Sequence, residues 1–260
     1  MMLPEYSDRI VAFIDILGFG ALVRRLDAEA SLHAKLHSAL SHIRVLKHSS
    51  LQPQTAQSEL EVSVFSDSIV ISGASDSLQS VVNSAIHLQS NLLEIGILVR
   101  GGISCGRTVH ADDILYGEGM LEAHALETKA AVYPRIILAP KLVEQLEPRY
   151  RAMFFEQDGD GLWFINPFSI GLTPANADDL AADGYSPFEE ALKKLGKVIG
   201  EELGRLSDVG QLAKWQWLKR QHSIALLEFA KLGEPRFWHA WKQMERTKDP
   251  SSNAPTATHA

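Results

Sequence analysis

A chain of 260 residues, with 45% hydrophobic and 22% charged side chains, has the size and balance of a folded globular protein and excludes wholesale disorder. Its net charge of −7 excludes a general electrostatic grip on DNA or RNA, because such binding rests on clustered Lys and Arg neutralising phosphates. The single cysteine, Cys105, excludes an internal disulfide and a cysteine-based zinc cage. No apolar run is long enough to span a bilayer, and Met1 to Asp8 lacks the basic flank and apolar core of a signal peptide, so a cytoplasmic protein without a membrane partner is expected.

In chain order, Arg9 to Leu17 reads as a buried strand: Ile10, Val11, Ala12, Phe13 and Ile14 run uninterrupted to Asp15, and Gly18 and Gly20 follow. From Ala21 to about Ser49, Leu22, Val23, Leu26, Leu32, Leu36 and Leu40 keep helical spacing, as one helix or a broken pair. Gln52 to Ser58, with Pro53, reads as a loop. Leu60 to Ser72 then reads as a β-hairpin whose tip carries Ser66, Asp67 and Ser68. A helix follows from Ser77, a candidate N-cap, to about Gly96, and Ile97 to Cys105 returns to strand character. Gly117 to Val132 is helical, Arg135 to Leu138 a short strand, and Lys141 to Leu146 a helix. The order βαββαβ with a following αβ predicts an α+β fold, a ferredoxin-like antiparallel sheet with helices packed on one face, because the central hairpin has no crossover.

Phe154 to Phe164 reads as a further hairpin around Gln157-Asp158-Gly159-Asp160-Gly161; the run lacks the later bidentate Glu of a calcium loop, so turn chemistry accounts for its aspartates. From Pro187 the pattern is helical again. The expected division is a catalytic domain over residues 1–172, a helical extension over 173–247 packed on the core or in a dimer, and a disordered tail over 248–260 that is poor in apolar bulk.

Two carboxylates carry the chemistry. Asp15 and Asp67 stand at the end of one apolar strand and the tip of a neighbouring hairpin, where an unpaired buried charge is costly. A divalent cation removes that cost by drawing both into one coordination sphere, and hard oxygen ligands suit Mg²⁺ or Mn²⁺, with a polyphosphate completing the shell. Two such ions would position a triphosphate for in-line attack. As plain structure, Asp15 caps the following helix and Asp67 is a turn residue. Gly18 and Gly20 permit a sharp turn whose free N–H groups suit phosphate oxygens. Arg100 reads as part of a strand against the same sheet, where its planar fork can reach phosphates; as plain structure it makes a surface salt bridge. His33 and His37, one helical turn apart, lack a third ligand and read as surface residues, and Cys105 reads as an inert buried thiol.

The segments Phe13-Ile14-Asp15-Ile16-Leu17-Gly18-Phe19, Phe65-Ser66-Asp67-Ser68-Ile69-Val70, Val99-Arg100-Gly101-Gly102-Ile103-Ser104-Cys105-Gly106 and Tyr116-Gly117 through Leu126-Glu127 resemble, in order, the main motifs of class III nucleotidyl cyclases. The resemblance spans roughly Arg9 to Leu146. It implies that Asp15 and Asp67 bind two Mg²⁺ or Mn²⁺ ions, that the main-chain carbonyl of Ile16 is a further ligand, that Gly18, Phe19 and Gly20 hold phosphates, and that Arg100 contacts the triphosphate. It also implies a homodimer with sites built across the interface.

The departures from the family pattern are specific. The purine-reading lysine falls on Ser63, the second base contact on Ile114, and the Asn-x-x-x-Arg transition-state pair on Leu121 and Ala125. Tyr116, Arg107 and Arg135 are the candidates to replace the missing arginine. This pattern, with Tyr116-Gly117-Glu118-Gly119 and Pro134-Arg135-Ile136, is similar to the pyrimidine cyclases of bacterial antiphage (Pycsar) systems. That likeness implies UTP as the favoured nucleoside triphosphate, CTP second, and a cyclic pyrimidine nucleotide as product. A purine cyclase with a shifted register, or a non-catalytic nucleotide-binding domain, stays open.

Overall fold

The first strand explains the rest of the sheet. In β1 (Ser7–Ile16), Ile10, Ala12, Ile14 and Ile16 enter one core cluster while Val11 and Phe13 enter another on the opposite face, so a strand covered on both sides needs an unbroken apolar run. A computed structural model describes residues 4–46, 60–111, 114–168 and 187–232. The expected loop at Gln52 to Ser58 and the tail at 248–260 lie outside them.

After β1 the expected single or broken helix is a pair, α1 (Phe19–Leu26) and α2 (Ala30–Leu46). The hairpin β2 (Glu61–Phe65) and β3 (Ser68–Ala74) turns on Ser66 and Asp67, and Ser66 adopts a left-handed φ of 55°. Next come α3 (Leu78–Glu94) and β4 (Val99–Ala111). Ser77 occupies the N-cap of α3, but its side chain makes no capping hydrogen bond there. The strands stand in the order β2-β3-β1-β4, all antiparallel, which is the ferredoxin-like arrangement of a βαββαβ unit. Apolar residues of α1, α2 and α3 cover one face.

Three features differ from expectation. β4 runs on to Ala111, and its far end pairs with a short strand, β5 (Ile114–Gly117), that the sequence pattern did not reveal. Four residues with alternating exposure carry too little periodicity to register. The helix α4 (Glu118–Ala130) lies on the other face of the sheet, with Ala123 and Met120 against Val11, Phe13 and Val70. The helix expected at Lys141 to Leu146 is the single turn α5 (Pro140–Val143), and a second helix, α6 (Pro148–Phe154), follows, with Pro148 at a position whose N–H would be unpaired in any case.

β6 (Ile136–Leu138) joins β4 in parallel, and the hairpin β7 (Phe155–Gln157) and β8 (Trp163–Ile165) extends the sheet beyond it. Two long helices, α7 (Pro187–Arg205) and α8 (Val209–Leu232), complete the described chain. Leu192, Leu195 and Ile199 of α7 and Trp215, Trp217 and Leu218 of α8 share a buried cluster with Leu93, Leu98, Phe164 and Phe168. The described part of the extension is therefore packed on the sheet domain.

Candidate active site

Asp15 is the penultimate residue of β1, and the register places it between Ser68 of β3 and Arg100 of β4. The next residue, Ile16, donates its N–H to the carbonyl of Asp67 at 2.9 Å, and Leu17 donates to Leu98 O at 2.8 Å. These two bonds clamp the end of β1 between the hairpin tip and β4. Asp15 and Asp67 are thus brought together by backbone pairing, both half-buried.

Beyond the clamp the chain turns at Gly18, whose φ of 72° and ψ of 24° are left-handed, and its carbonyl accepts the first bonds of α1 from Ala21 and Leu22. A residue with a Cβ is strained in that conformation, which accounts for glycine here. Gly18, Phe19 and Gly20 therefore wrap the first turn of α1 beside Asp15.

Arg100 lies 3.5 Å from Asp15 Oδ2 through its Nε and 2.5 Å from Glu127 Oε1. Glu127 is only 2% exposed and reaches the arginine from α4. The helix can approach so closely because β4 carries glycine opposite it: a Cβ on Gly102 would stand 2.4 Å from Ala123 O and 2.5 Å from Leu126 Cβ. Ala123 and Glu127, four residues apart, make the sheet-facing stripe of α4.

Burial pushes the Asp15 carboxyl up from its ordinary range; Arg100 pulls it down, and the charge of Asp67 pushes it up again. Burial likewise raises Glu127, opposed by Arg100 and reinforced by Asp15. One guanidinium thus serves two carboxylates with a third nearby, a net negative cluster. Such a cluster suits a divalent cation. Among the described residues no three or more His, Cys, Asp or Glu are arranged as a closed metal cage. An ion held by Asp15 and Asp67 would need oxygens from a ligand and water to fill its shell, as Mg²⁺ ordinarily does.

The remaining candidates are placed differently. The Ser63 hydroxyl is 2.9 Å from Nε2 of the buried His110, whose Nδ1 is 2.8 Å from Ser72 Oγ. Arg9 Nε in turn donates to Ser72 Oγ at 3.1 Å. Tyr116 stacks on Tyr6 at 6.2 Å between ring centroids, and the Arg107 guanidinium sits 4.4 Å over the Tyr6 ring. Tyr6, Tyr116 and Arg107 belong to the other end of β1, where Ser7 pairs with Thr108, about 25 Å along the strand from Asp15. Tyr116 and Arg107 cannot share a site with the Asp15 of their own chain. Leu121, 70% exposed, and the half-buried Ala125 lie on α4 away from the sheet-facing stripe.

Arg135 requires a correction. It is 1% exposed; one guanidinium nitrogen donates to Asp158 Oδ2 at 2.7 Å and the other is bonded to Asp160 Oδ2. Trp217 Nε1 also donates to Asp158 Oδ2, at 3.1 Å, and its ring stacks on Tyr133. A guanidinium enclosed by the β7–β8 turn fastens that turn and α8 to the sheet, and it is not available to a reacting phosphate. The aspartates of the turn, read from sequence only as turn chemistry, are its counter-ions.

Sequence reasoning missed Glu127. Its signal was an acidic residue four positions from a small one on a helix stripe that must face apolar strands. It also missed two residues of α8: the Gln211 amide lies over the Gly18 turn, its Nε2 3.2 Å from where a Cβ of Gly18 would stand, and the charge of Lys214 acts on Asp15. The exposed His33 and His37 stand on α2 as surface residues, and burial holds the Cys105 thiol above its ordinary value.

No family model matches the sequence, and no curated protein matches it. Among solved structures, the chain is similar to a bacterial light-regulated adenylyl cyclase, with a TM-score of 0.45 and 15% identity over 63% of this chain and 92% of that one. It is also similar to the adenylyl cyclase CyaB from P. aeruginosa, with a TM-score of 0.42 and 16% identity over 63% of this chain and 96% of that one.

Proposed function

We propose that this chain is a nucleotidyl cyclase that closes a nucleoside triphosphate to a 3′,5′-cyclic nucleotide and releases pyrophosphate. The observation that carries this reading is the pairing of Asp15 and Asp67 by the Ile16 N–H bond, beside the left-handed Gly18 turn and the Arg100 guanidinium. Asp15 and Asp67, with the Ile16 carbonyl, would hold two Mg²⁺ or Mn²⁺ ions. Those ions, when bound, supply positive charge to the α-phosphate and to the leaving pyrophosphate.

The chain's own residues do the rest. The turn at Gly18, Phe19 and Gly20 offers backbone N–H groups to the phosphates. Arg100, held in place by Glu127, sets a cation beside the metal-binding carboxylates and steadies negative charge as it moves toward the leaving group. In the reaction the ribose 3′-oxygen bonds to the α-phosphorus, the bond from that phosphorus to the bridging oxygen breaks, and the hydroxyl proton passes to water.

The base is a pyrimidine, UTP before CTP. What supports this is the lack of a long cationic reader at Ser63 and of a polar partner at Ile114, together with the likeness of the opening and Tyr116-to-Gly119 segments to antiphage pyrimidine cyclases. Uracil presents an acceptor at O4 and a donor at N3, and cytosine the reverse. When the Ser72 hydroxyl gives its hydrogen to His110 Nδ1, the ring proton lies on Nε2 and donates to Ser63, whose own hydroxyl hydrogen is left to donate. A donor there suits O4 of uracil. The product would be a second messenger in defence against phage. The working unit is a homodimer, because Tyr116 reaches a site only on a partner and exposed Phe65, Ile114 and Leu121 need cover.

The test is to incubate the protein with equimolar UTP, CTP, ATP and GTP and Mn²⁺, and to identify products by mass spectrometry. Cyclic UMP as the main product is expected. A dominant purine product overturns the pyrimidine reading, and the absence of any cyclic nucleotide overturns the cyclase reading.

A further inference from the structure

The start of α8 lies against the site described above, although it comes from the C-terminal extension. Asp208 accepts the N–H of Gln211 on Oδ1 at 2.8 Å and, through its backbone carbonyl, the N–H of Leu212 at 2.9 Å, which fixes the first turn. Trp215, Trp217 and Leu218 anchor the next turns in the buried cluster they share with Leu98 and Phe164. Trp217 is tied further to Asp158 and Tyr133.

With its buried face so fixed, α8 turns Gln211 and Lys214, three residues apart, toward the ends of β1 and α1. The Gln211 amide stands over Gly18, its Nε2 3.2 Å from where a Cβ there would stand, and Lys214 follows about one helical turn further along the same face of α8. Among the described residues Lys214 makes no ion pair of its own. A half-buried ammonium on this face of α8, with no ion-pair partner among the described residues, stands ready for an anion that arrives with its own cations.

We infer that Lys214 and Gln211 are triphosphate-binding residues supplied to the catalytic site by the C-terminal helices of the same chain. This rests on the cyclase reading for the identity of the ligand. Lys214 would pair with the terminal phosphates, and the Gln211 amide would donate to a phosphate oxygen over the Gly18 turn. The extension is then part of the active site, and its packing through Trp217 sets where those groups stand.

The experiment uses the full-length protein with Lys214→Met, Gln211→Ala and, as charge-matched control, Lys219→Met, an exposed position further along α8. Binding of a non-cyclisable α,β-methylene triphosphate and of the matching monophosphate is measured by calorimetry with Mg²⁺, alongside KM, kcat and thermal melting. Losing a charge-assisted contact should weaken triphosphate binding about tenfold or more. Monophosphate binding should change little, KM should rise more than kcat falls, Lys214→Arg should recover part of the loss, and Lys219→Met should match the parent protein.

Equal triphosphate affinity in parent and Lys214→Met, with unchanged melting, overturns the inference while leaving the cyclase reading untouched. An equal loss for triphosphate and monophosphate, or a loss that Lys219→Met shares, also overturns it. If the parent cyclises nothing yet binds the triphosphate in a Lys214-dependent way, the cyclase reading falls and the binding role stands.

Discussion

Asp15 and Asp67 repel each other across a clamp that the backbone closes, and under the proposed function each serves to bind a metal ion and not to hold the fold. Asp15→Ala or Asp67→Ala should lower cyclic nucleotide formation at least about a hundredfold and leave the melting temperature equal or higher, since either removes one carboxylate from a net negative cluster. Melting curves and product assays decide it, and activity retained in either variant would remove the metal-pair argument. Arg100 behaves oppositely. Arg100→Ala strands the buried Glu127 and should cost about 2 kcal/mol or more of stability in urea unfolding, most of it recovered by adding Glu127→Gln, because the penalty is that of an uncompensated buried charge. A simple additive loss in the double variant would show that the pair does not act as a unit.

At the scale of elements, α4 and β4 touch where glycine leaves room. Gly102→Ala drives a methyl group into the Ala123 carbonyl and the Leu126 side chain, so α4 must lift and carry Glu127 off Arg100. Overpacking of this kind should cost about 1–3 kcal/mol and reduce activity together with stability, measurable by unfolding and product assays on one sample. The β7–β8 hairpin is held by charge instead. Its bond to Arg135 holds the Asp160 carboxyl below its ordinary 3.8. A lowered carboxyl contributes stability above its unfolded value and loses it as pH falls through the folded one. Parent stability should therefore drop as pH falls below about 4, more steeply than in Asp160→Asn, whose curve starts lower at pH 7 and is flatter below pH 4. Because Asp160 is 45% exposed, solvent keeps the effect small. Identical acid limbs for the two proteins would contradict this account.

For the whole molecule, the proposed two-chain site gives a prediction separate from chemistry. Leu121 on α4 and Ile114 on β5, the strand that also carries Tyr116, expose apolar surface. Leu121→Glu should convert a dimer to a monomer in sedimentation measurements and abolish activity while leaving melting of the single chain near that of the parent. A fully active monomer would rule out a site shared across two chains. The extension enters at this scale too, since α7 and α8 pack on the sheet domain and bring Lys214 to Asp15.

Much of the architecture was legible from the residues in order. The apolar run before Asp15, the glycine at 18 and the interruption at Ser66 to Ser68 mark strands and turns because burial and left-handed backbone are local demands on residue type. They placed the two aspartates and Arg100 correctly at neighbouring strand ends. Local pattern could not show that Arg135 spends its charge on Asp158 and Asp160, that Glu127 faces Arg100, or that Lys214 returns to Asp15 from 199 positions away. A charge's partner is fixed by where the sheet and helices pack, and that packing is decided by contacts between segments distant in sequence. The sequence by itself determined where strands and turns end and that Asp15 and Asp67 stand there; the tertiary structure decided which charged side chains meet.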